Sequence, residues 1–201
     1  MSKSNLDVLL ERLHQLQIEL EQEMEQLLAA KREQFRYQLH NGKIKFEQSI
    51  GKLQQRQKVG IFRYISRASL LLLITSPVIY SLIIPLLLLD LMANVYQNIC
   101  FPVYRIPRVR RRNYLKIDHQ HLAYLNGIEK LNCIYCSYAN GLIEFVREIS
   151  ARTEQFWCPI KHAQRTPDPH RLVDNFVDFG DMKAYKKELN SIREKISELK
   201  D

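Results

Sequence analysis

Three cysteines and a histidine in the second half of the chain have the types and the spacing of a metal site. Cys133 and Cys136 form a C-x2-C pair, and after twenty-one intervening residues Cys158 and His162 form a C-x3-H pair. Thiolate and imidazole are the ligands of structural zinc, and two such pairs can close a tetrahedron around one ion. The sequence therefore predicts zinc bound at these four residues. An iron–sulfur cluster is the minor alternative, because Pro159 directly follows Cys158.

Other roles for these residues stay open. His119 and His121 form an H-x-H pair that could supply an alternative ligand. Cys133 and Cys136 could instead be a redox couple, although no strand pattern precedes them as it does in thioredoxin-like proteins. They could also be small apolar residues that only pack.

One predicted helix would have to position the two ligand pairs. Leu142, Ile143, Val146 and Ile149 recur at helical spacing between Cys136 and Cys158. We expect this helix to carry the second pair back to the first. Glu144 and Glu148 lie one turn apart on it, which is typical of a solvated helix face or, less commonly, of a carboxylate pair.

An apolar stretch of 37 residues lies between positions 68 and 104, and Asp90 is its only charged residue. This exceeds the roughly 18 residues that indicate a membrane-embedded segment. Basic residues on both sides favour a shallow re-entrant hairpin, broken at Pro77 or Pro85, with both flanks cytoplasmic. A single span is the alternative, and it would leave Asp90 at the interface. In a hairpin Asp90 would need a polar partner, and Asn94 is the nearest candidate.

The basic residues beside this segment form two clusters that suit anionic lipid headgroups. Between positions 105 and 116 there are six basic residues and no acidic one. A nucleic-acid interface is the less favoured alternative, because no recognition motif surrounds them. The predicted membrane-surface residues are Arg63, Arg67, Arg105, Arg108, Arg110, Arg111 and Arg112.

Both ends of the chain have the leucine spacing of coiled-coil helices. The first series breaks near positions 40–42 and is expected to resume as helix. We expect the two terminal helices to pair with each other, with a copy in a homo-oligomer, or with a protein partner. The series are Leu6, Leu9, Leu13, Leu16, Leu20 and Leu27, then Ile44, Phe46, Ile50 and Leu53, and at the other end Tyr185, Leu189, Ile192, Ile196 and Leu199.

The predicted fold is mainly α and has four parts. Residues 1–67 form a coiled-coil and basic helical arm, and residues 68–104 form the transmembrane or re-entrant segment. Residues 105–181 form a basic linker and a small helical Cys/His module, and residues 182–201 form an amphipathic helix. Because the N-terminal residues are polar and acidic rather than those of a secretory signal, we expect a reducing compartment.

Six short motifs resemble, in this order, an uncharacterised family of bacterial proteins. They are "PVIY", "IPRVRR", "AYLNGIEKLNC", "YANG", "ARTEQ" and "WCPIKHA". The resemblance runs from about Ser76 to Asp181 and leaves the terminal helices outside. It implies a bacterial membrane-associated protein and a single cysteine module, and it implies no reaction.

These features favour an interaction or scaffold protein anchored at the bacterial inner membrane, stabilised by zinc, with its soluble parts in the cytoplasm. No Gly-rich phosphate loop, G-x-S-x-G elbow or H-E-x-x-H motif is present, so the sequence leans against an enzyme without excluding one. A membrane-bound redox or metalloenzyme is the first alternative, and a nucleic-acid-binding protein is the second.

Overall fold

A computed structural model describes residues 5–40, 43–164 and 166–199. The chain is mainly helical and divides into two compact units. The first comprises Met1–Gly60 with Gln120–Asn126, and the second comprises Ile61–His119 with Gly127–Asp201.

The first unit contains a long helix, a hairpin and a short helix. They are α1 (Asn5–Gln34), β1 (Tyr37–His40), β2 (Lys43–Phe46) and α2 (Gln48–Arg56). The strands pair antiparallel with Tyr37 opposite Phe46, whose rings lie 5.5 Å apart. The expectation that helix resumes at Ile44 is wrong, because these alternating apolar side chains pair across two strands. The helix break was predicted near positions 40–42, and two of these residues, Asn41 and Gly42, lie outside the described residues.

The described part of the second unit contains six α-helices, a short 3-10 helix at Val173–Asn175 and one isolated bridge between Ile160 and Val177, joined by irregular segments. Its helices are α3 (Ile61–Arg67), α4 (Leu70–Ser81), α5 (Ile83–Tyr104), α6 (Arg111–Tyr114), α7 (Gly127–Trp157) and α8 (Met182–Ser197).

Helices α4 and α5 join into one apolar helix of 35 residues, Leu70–Tyr104, and the most apolar 18-residue window in it has a mean hydropathy of 2.3. Its length and composition are sufficient to cross a membrane. Leu82 separates α4 from α5, but its φ of −64° and ψ of −14° remain near helical values. The predicted re-entrant hairpin is therefore wrong. Pro85 removes one backbone donor, and Leu86 N–H restores the pattern by donating to Leu82 O, so the chain bends without turning back.

Helix α7 packs beside α5 and runs in the same direction. Near the middle of α5, Tyr96 Oη lies 3.1 Å from Thr153 Oγ1, and at its end the rings of Tyr104 and Trp157 are 5.4 Å apart. The chain leaves α5 at Arg105, whose left-handed φ of 58° ends the helix. Between α5 and α7 lies the core of the unit, which consists of Ala93, Phe101, Ile106, Val109, Leu142, Phe145, Ile149 and Ile196.

The apolar face of α8 packs on its own chain. Ile192 and Ile196 are buried, and Gln155 of α7 donates from Nε2 to Ile192 O at 3.1 Å. At this end of the sequence, the residues with coiled-coil spacing therefore pack against α7 of the same chain. Pairing of α8 with a second copy through these residues would require the core of the unit to open.

Gly141 is the point where α7 approaches α6 most closely, and its replacement by alanine is expected to destabilise the unit. A Cβ there would lie 2.8 Å from Tyr114 O and 3.0 Å from Leu115 Cα, and backbone cannot easily move away. Overpacking costs about 1–3 kcal/mol, whereas alanine gains about 1 kcal/mol of helix propensity. We expect a net loss of about 1 kcal/mol in thermal or urea unfolding.

The control for this substitution is Gly127→Ala on the same helix. There the new Cβ would meet only Ile61 Cδ1 at 3.8 Å, an ordinary contact. An equal effect of both substitutions on the free energy of unfolding would contradict close packing at Gly141.

Candidate functional site

The predicted zinc ligands lie at opposite ends of one straight element. Cys133 and Cys136 are in the second and third turns of α7, and Cys158 directly follows its last residue. At 1.5 Å per residue, the 22 steps from Cys136 to Cys158 correspond to about 33 Å along the axis. The expectation that this helix returns the second pair to the first is wrong, because an uninterrupted helix carries it away.

The structure does not bring the four ligands together. Cys133 and Cys158 are free thiols, and Cys136 and His162 are exposed. Within residues 5–40, 43–164 and 166–199, no group of three or more His, Cys, Asp or Glu side chains is arranged to hold an ion. Zinc and the iron–sulfur alternative therefore remain predictions from spacing, without geometric support from the described residues.

One alternative ligand does lie near a cysteine. His119 and Cys136 line the same open cleft of about 430 Å³, together with Lys116, Asn140 and Glu144. His119 Nδ1 is 3.3 Å from Ser137 Oγ. His121 belongs to the other compact unit.

Asp90 is the centre of a polar cluster within the apolar helix. Asn94 Nδ2 donates to Asp90 Oδ1 at 2.7 Å, which confirms the partner expected from the sequence. Arg111 Nη2 lies 2.7 Å from Oδ2, and Tyr138 Oη donates to Oδ2 at 2.9 Å. The sequence analysis did not identify these two partners, because α6 and α7 supply them from distant positions.

This cluster changes the acidity of both distant partners. The hydrogen bond to Asp90 raises the pKa of Arg111 above its ordinary value. Burial, followed by the hydrogen bond to Asp90, raises the pKa of Tyr138. Both groups therefore keep their protons more firmly than in water.

A second charged cluster is buried between α7 and the chain that follows it. Arg152 is fully buried, and its Nε lies 2.9 Å from Glu148 Oε1. Arg171 also pairs with Glu148, and Arg152 Nη1 donates to Pro107 O at 2.7 Å. Glu144 and Glu148 were both expected on a solvated helix face. This is confirmed for Glu144, which is exposed, and is wrong for Glu148, whose side chain is only 8% exposed.

The outward face of the apolar helix, opposite α7, remains exposed along its whole length in this chain. Ile84 is 70% exposed, and Val103 near the far end is 73% exposed. We call this set of residues the outward face. It comprises Ile84, Leu87, Leu88, Leu91, Val95, Ile99 and Val103.

Basic and aromatic residues lie at both ends of this helix. Arg63 and Arg67 of α3 are exposed before it, and Phe62 beside them is 91% exposed. After it, the predicted surface residues Arg105, Arg108, Arg110 and Arg112 are exposed as well. Arg111 differs from the others in that it pairs with Asp90.

Helix α7 accompanies the apolar helix from the level of Ile79 onward. Tyr135 Oη donates to Ile79 O at 2.8 Å, and Tyr80 hydrogen-bonds to Asn132. The first turn of α7 carries Glu129 and Lys130. If Leu70–Leu89 crossed a bilayer, this charged turn would enter the hydrocarbon with it, at a cost of about 2.5–3.5 kcal/mol for each charge near the centre.

Comparison of this chain with protein-family models, with curated proteins and with solved structures gives no match.

Proposed function

We propose that this chain is a membrane-anchored scaffold protein that attaches to one face of a bilayer. The helix Leu70–Tyr104 is the anchor, and its outward face contacts the acyl chains. The single observation that carries the proposal is the exposed apolar surface of this helix, in whose most apolar 18-residue window no residue is buried. A surface of this size on a soluble monomer is uncommon, because exposed apolar area favours aggregation or membrane contact.

Attachment to one face accounts for the charges better than a crossing does. Basic residues precede and follow the helix, and the positive-inside rule assigns both flanks to the cytoplasmic side. Each of these residues gains about 1 kcal/mol near an anionic surface. The exposed Phe62 beside Arg63 adds an aromatic anchor of the kind that favours the headgroup level.

The Asp90 cluster supports the same arrangement. An isolated carboxylate within lipid would oppose insertion, whereas Asp90 is held by Arg111, Tyr138 and Asn94 on the side of the protein. The apolar helix can therefore present an uncharged surface to the lipid, because the charge of Asp90 is balanced by Arg111 on the side that faces the protein.

The scaffold role is suggested by α1. The described side chains of this 30-residue helix are exposed except that of Arg32, and the helix belongs to the compact unit that does not contain the anchor. Such an arm can bring a second protein to the membrane.

Labelling from each side of the membrane tests the attachment. Ser66→Cys and Asn113→Cys place a thiol in each exposed flank of the helix. Right-side-out and inverted membrane vesicles are treated with a membrane-impermeant maleimide, and the labelled residues are identified by peptide mass spectrometry. Both positions are expected to react only in inverted vesicles.

Two results would contradict the proposal. Labelling of the two positions from opposite sides would show that the helix crosses the membrane. Recovery of the protein in the soluble fraction would show that the helix does not anchor the protein. Cys136 and Cys158, which are exposed in the unmodified chain, serve as internal reference positions in the same spectra.

A further inference from the structure

The chain that follows α5 runs back along the helix instead of leaving its end. Val109 N–H donates to Gln97 Oε1 at 3.1 Å, and Arg111 Nη2 lies 2.7 Å from Asp90 Oδ2. Gln97 lies about two turns and Asp90 about four turns before the last residue of α5. This part of the chain, residues 105–112, is therefore antiparallel to α5, and we call it the return segment.

The length of the return segment agrees with this path. The 14 steps from Asp90 to Tyr104 correspond to about 21 Å along the helix axis. The six steps from Arg105 to Arg111 cover about 20 Å in an extended chain. Pro107 favours extended backbone, because it restricts its own φ and disfavours helix at the residue before it. The return segment therefore lies beside about four turns of α5.

Buried neighbours hold the arginines of the return segment in a row. Ile106 and Val109 are each 4% exposed and belong to the core of the unit. Arg105, Arg108 and Arg112 are exposed. No acidic residue interrupts the return segment. Because the backbone is already fixed by its buried side chains, binding of a ligand to the row costs little further ordering.

Phosphate bound to hydrocarbon is the chemistry that this surface fits. A guanidinium group binds phosphate oxygens through two parallel hydrogen bonds. The row lies close to the outward face, since Leu87, one turn before Asp90 on α5, is 54% exposed. A ligand that covers both surfaces needs phosphate and apolar chains in one molecule. A phospholipid has both, whereas a nucleic acid has only the phosphate.

We propose that the return segment binds the phosphate groups of anionic phospholipids, with α5 lying in the plane of the leaflet. Arg105, Arg108 and Arg112 contact phosphates at the headgroup level, and the outward face contacts the acyl chains below them. Asp90 and Gln97 are positioning residues, because they hold the return segment against α5. This inference rests on the proposed membrane attachment and adds to it the lipid group, the residues that bind it and the orientation of α5.

An upright α5 is incompatible with the position of the row. The return segment retraces about four turns of the helix, so its two ends would differ in depth by about 20 Å. Whichever end of α5 were deeper, some of the arginines would enter the hydrocarbon, where a charged side chain is strongly disfavoured. With α5 in the plane of the leaflet, the whole row stays at the level of the phosphates.

Tryptophan quenching measures the orientation of α5. Trp157 is the one tryptophan of the chain, so Trp157→Phe allows a single new tryptophan to report its depth. In this variant, Ile84→Trp and Val95→Trp place the probe at two positions of the outward face, about 16 Å apart along the axis. Quenching by phospholipids brominated at defined acyl positions is expected to give the same depth for both. A difference of about 16 Å would overturn the proposed orientation.

Glutamine at two arginines of the row tests the phosphate contacts. Arg105→Gln and Arg108→Gln together are expected to weaken binding to vesicles that contain phosphatidylglycerol by about 25-fold, or about five-fold for each arginine. A much smaller loss is expected on vesicles of zwitterionic phosphatidylcholine. Lys186→Gln with Lys187→Gln, exposed on α8, removes the same charge and is the matched control. We expect the control to change binding by less than about two-fold.

The remaining outcomes overturn the inference in different ways. Equal losses for the arginine pair and the lysine pair would show that the row does not contact phosphate. Loss of duplex DNA binding in the arginine pair, with vesicle binding intact, would assign the row to nucleic acid. Unequal tryptophan depths with both flanks labelled from one side would overturn the orientation and leave the proposed attachment supported. Absence of binding to either kind of vesicle would overturn both.

Discussion

Glutamate at Ile84 and Leu88 together is expected to release most of the protein from membranes. Both side chains lie on the outward face, one turn apart, near the middle of the helix Leu70–Tyr104, and they are 70% and 59% exposed in the chain. Each substitution removes about 2 kcal/mol of apolar burial in lipid and adds a charge. The apolar term of the two sites together, about 4 kcal/mol, already corresponds to about a thousand-fold change in partitioning, and the two charges add to it.

The measurement is the fraction of protein that floats with vesicles containing anionic lipid. The matched comparison is Ile84→Glu against Ile143→Glu. Ile143 is also exposed, at 53%, but it lies on α7 outside the outward face. Ile143→Glu is expected to float like the unmodified protein. Equal release by both single variants would mean that the outward face has no special contact with lipid.

Removing the charge of Glu148 is expected to produce the largest loss of folding stability. Glu148→Gln keeps the shape of the side chain but removes the carboxylate that pairs with Arg152, which is fully buried. Breaking a buried pair in this way costs about 3–5 kcal/mol, because the remaining charge stays out of water. For a unit of this size we expect the thermal midpoint to fall by about 10 °C.

Glu144→Gln provides the control one turn earlier on the same helix. The Glu144 side chain is 57% exposed and lies 3.7 Å from Arg147, a surface pair that contributes little. We expect its effect to stay within about 0.5 kcal/mol. Similar midpoints for the two variants, measured by circular dichroism, would show that the Glu148 pair is not needed for the fold.

Sequence patterns were sufficient to predict most of the helices. The leucine spacing of α1, the apolar stretch around Asp90 and the apolar series in α7 each correspond to a helix in the structure. These patterns are local, and a period of 3.6 residues is read directly from the chain. The strands β1 and β2 were missed because a helical series was continued across Asn41 and Gly42, although Asn-Gly between alternating apolar residues is the usual signal of a hairpin.

The candidate site was harder to predict because it depends on distances between elements. The four metal-type residues have suitable spacing along the chain, but spacing cannot show whether the intervening helix ends or continues. In the structure α7 is uninterrupted from Gly127 to Trp157, so Cys136 and Cys158 are far apart. In the same way, Asn94 could be predicted as a partner of Asp90 because it lies one turn away, whereas Arg111 and Tyr138 could not.

The parallel arrangement of α5 and α7 has an electrostatic consequence at the end of the unit where both helices stop. Each helix macrodipole carries a partial negative charge of about one half at its C-terminus, and here the two C-termini are adjacent. Arg193 of α8 donates from Nε to Phe156 O at 2.8 Å, and its guanidinium lies 4.9 Å from the Phe156 ring. Helix α8 therefore supplies a positive counter-charge as well as apolar contacts, and a chain shortened before Arg193 would leave two like dipole ends side by side.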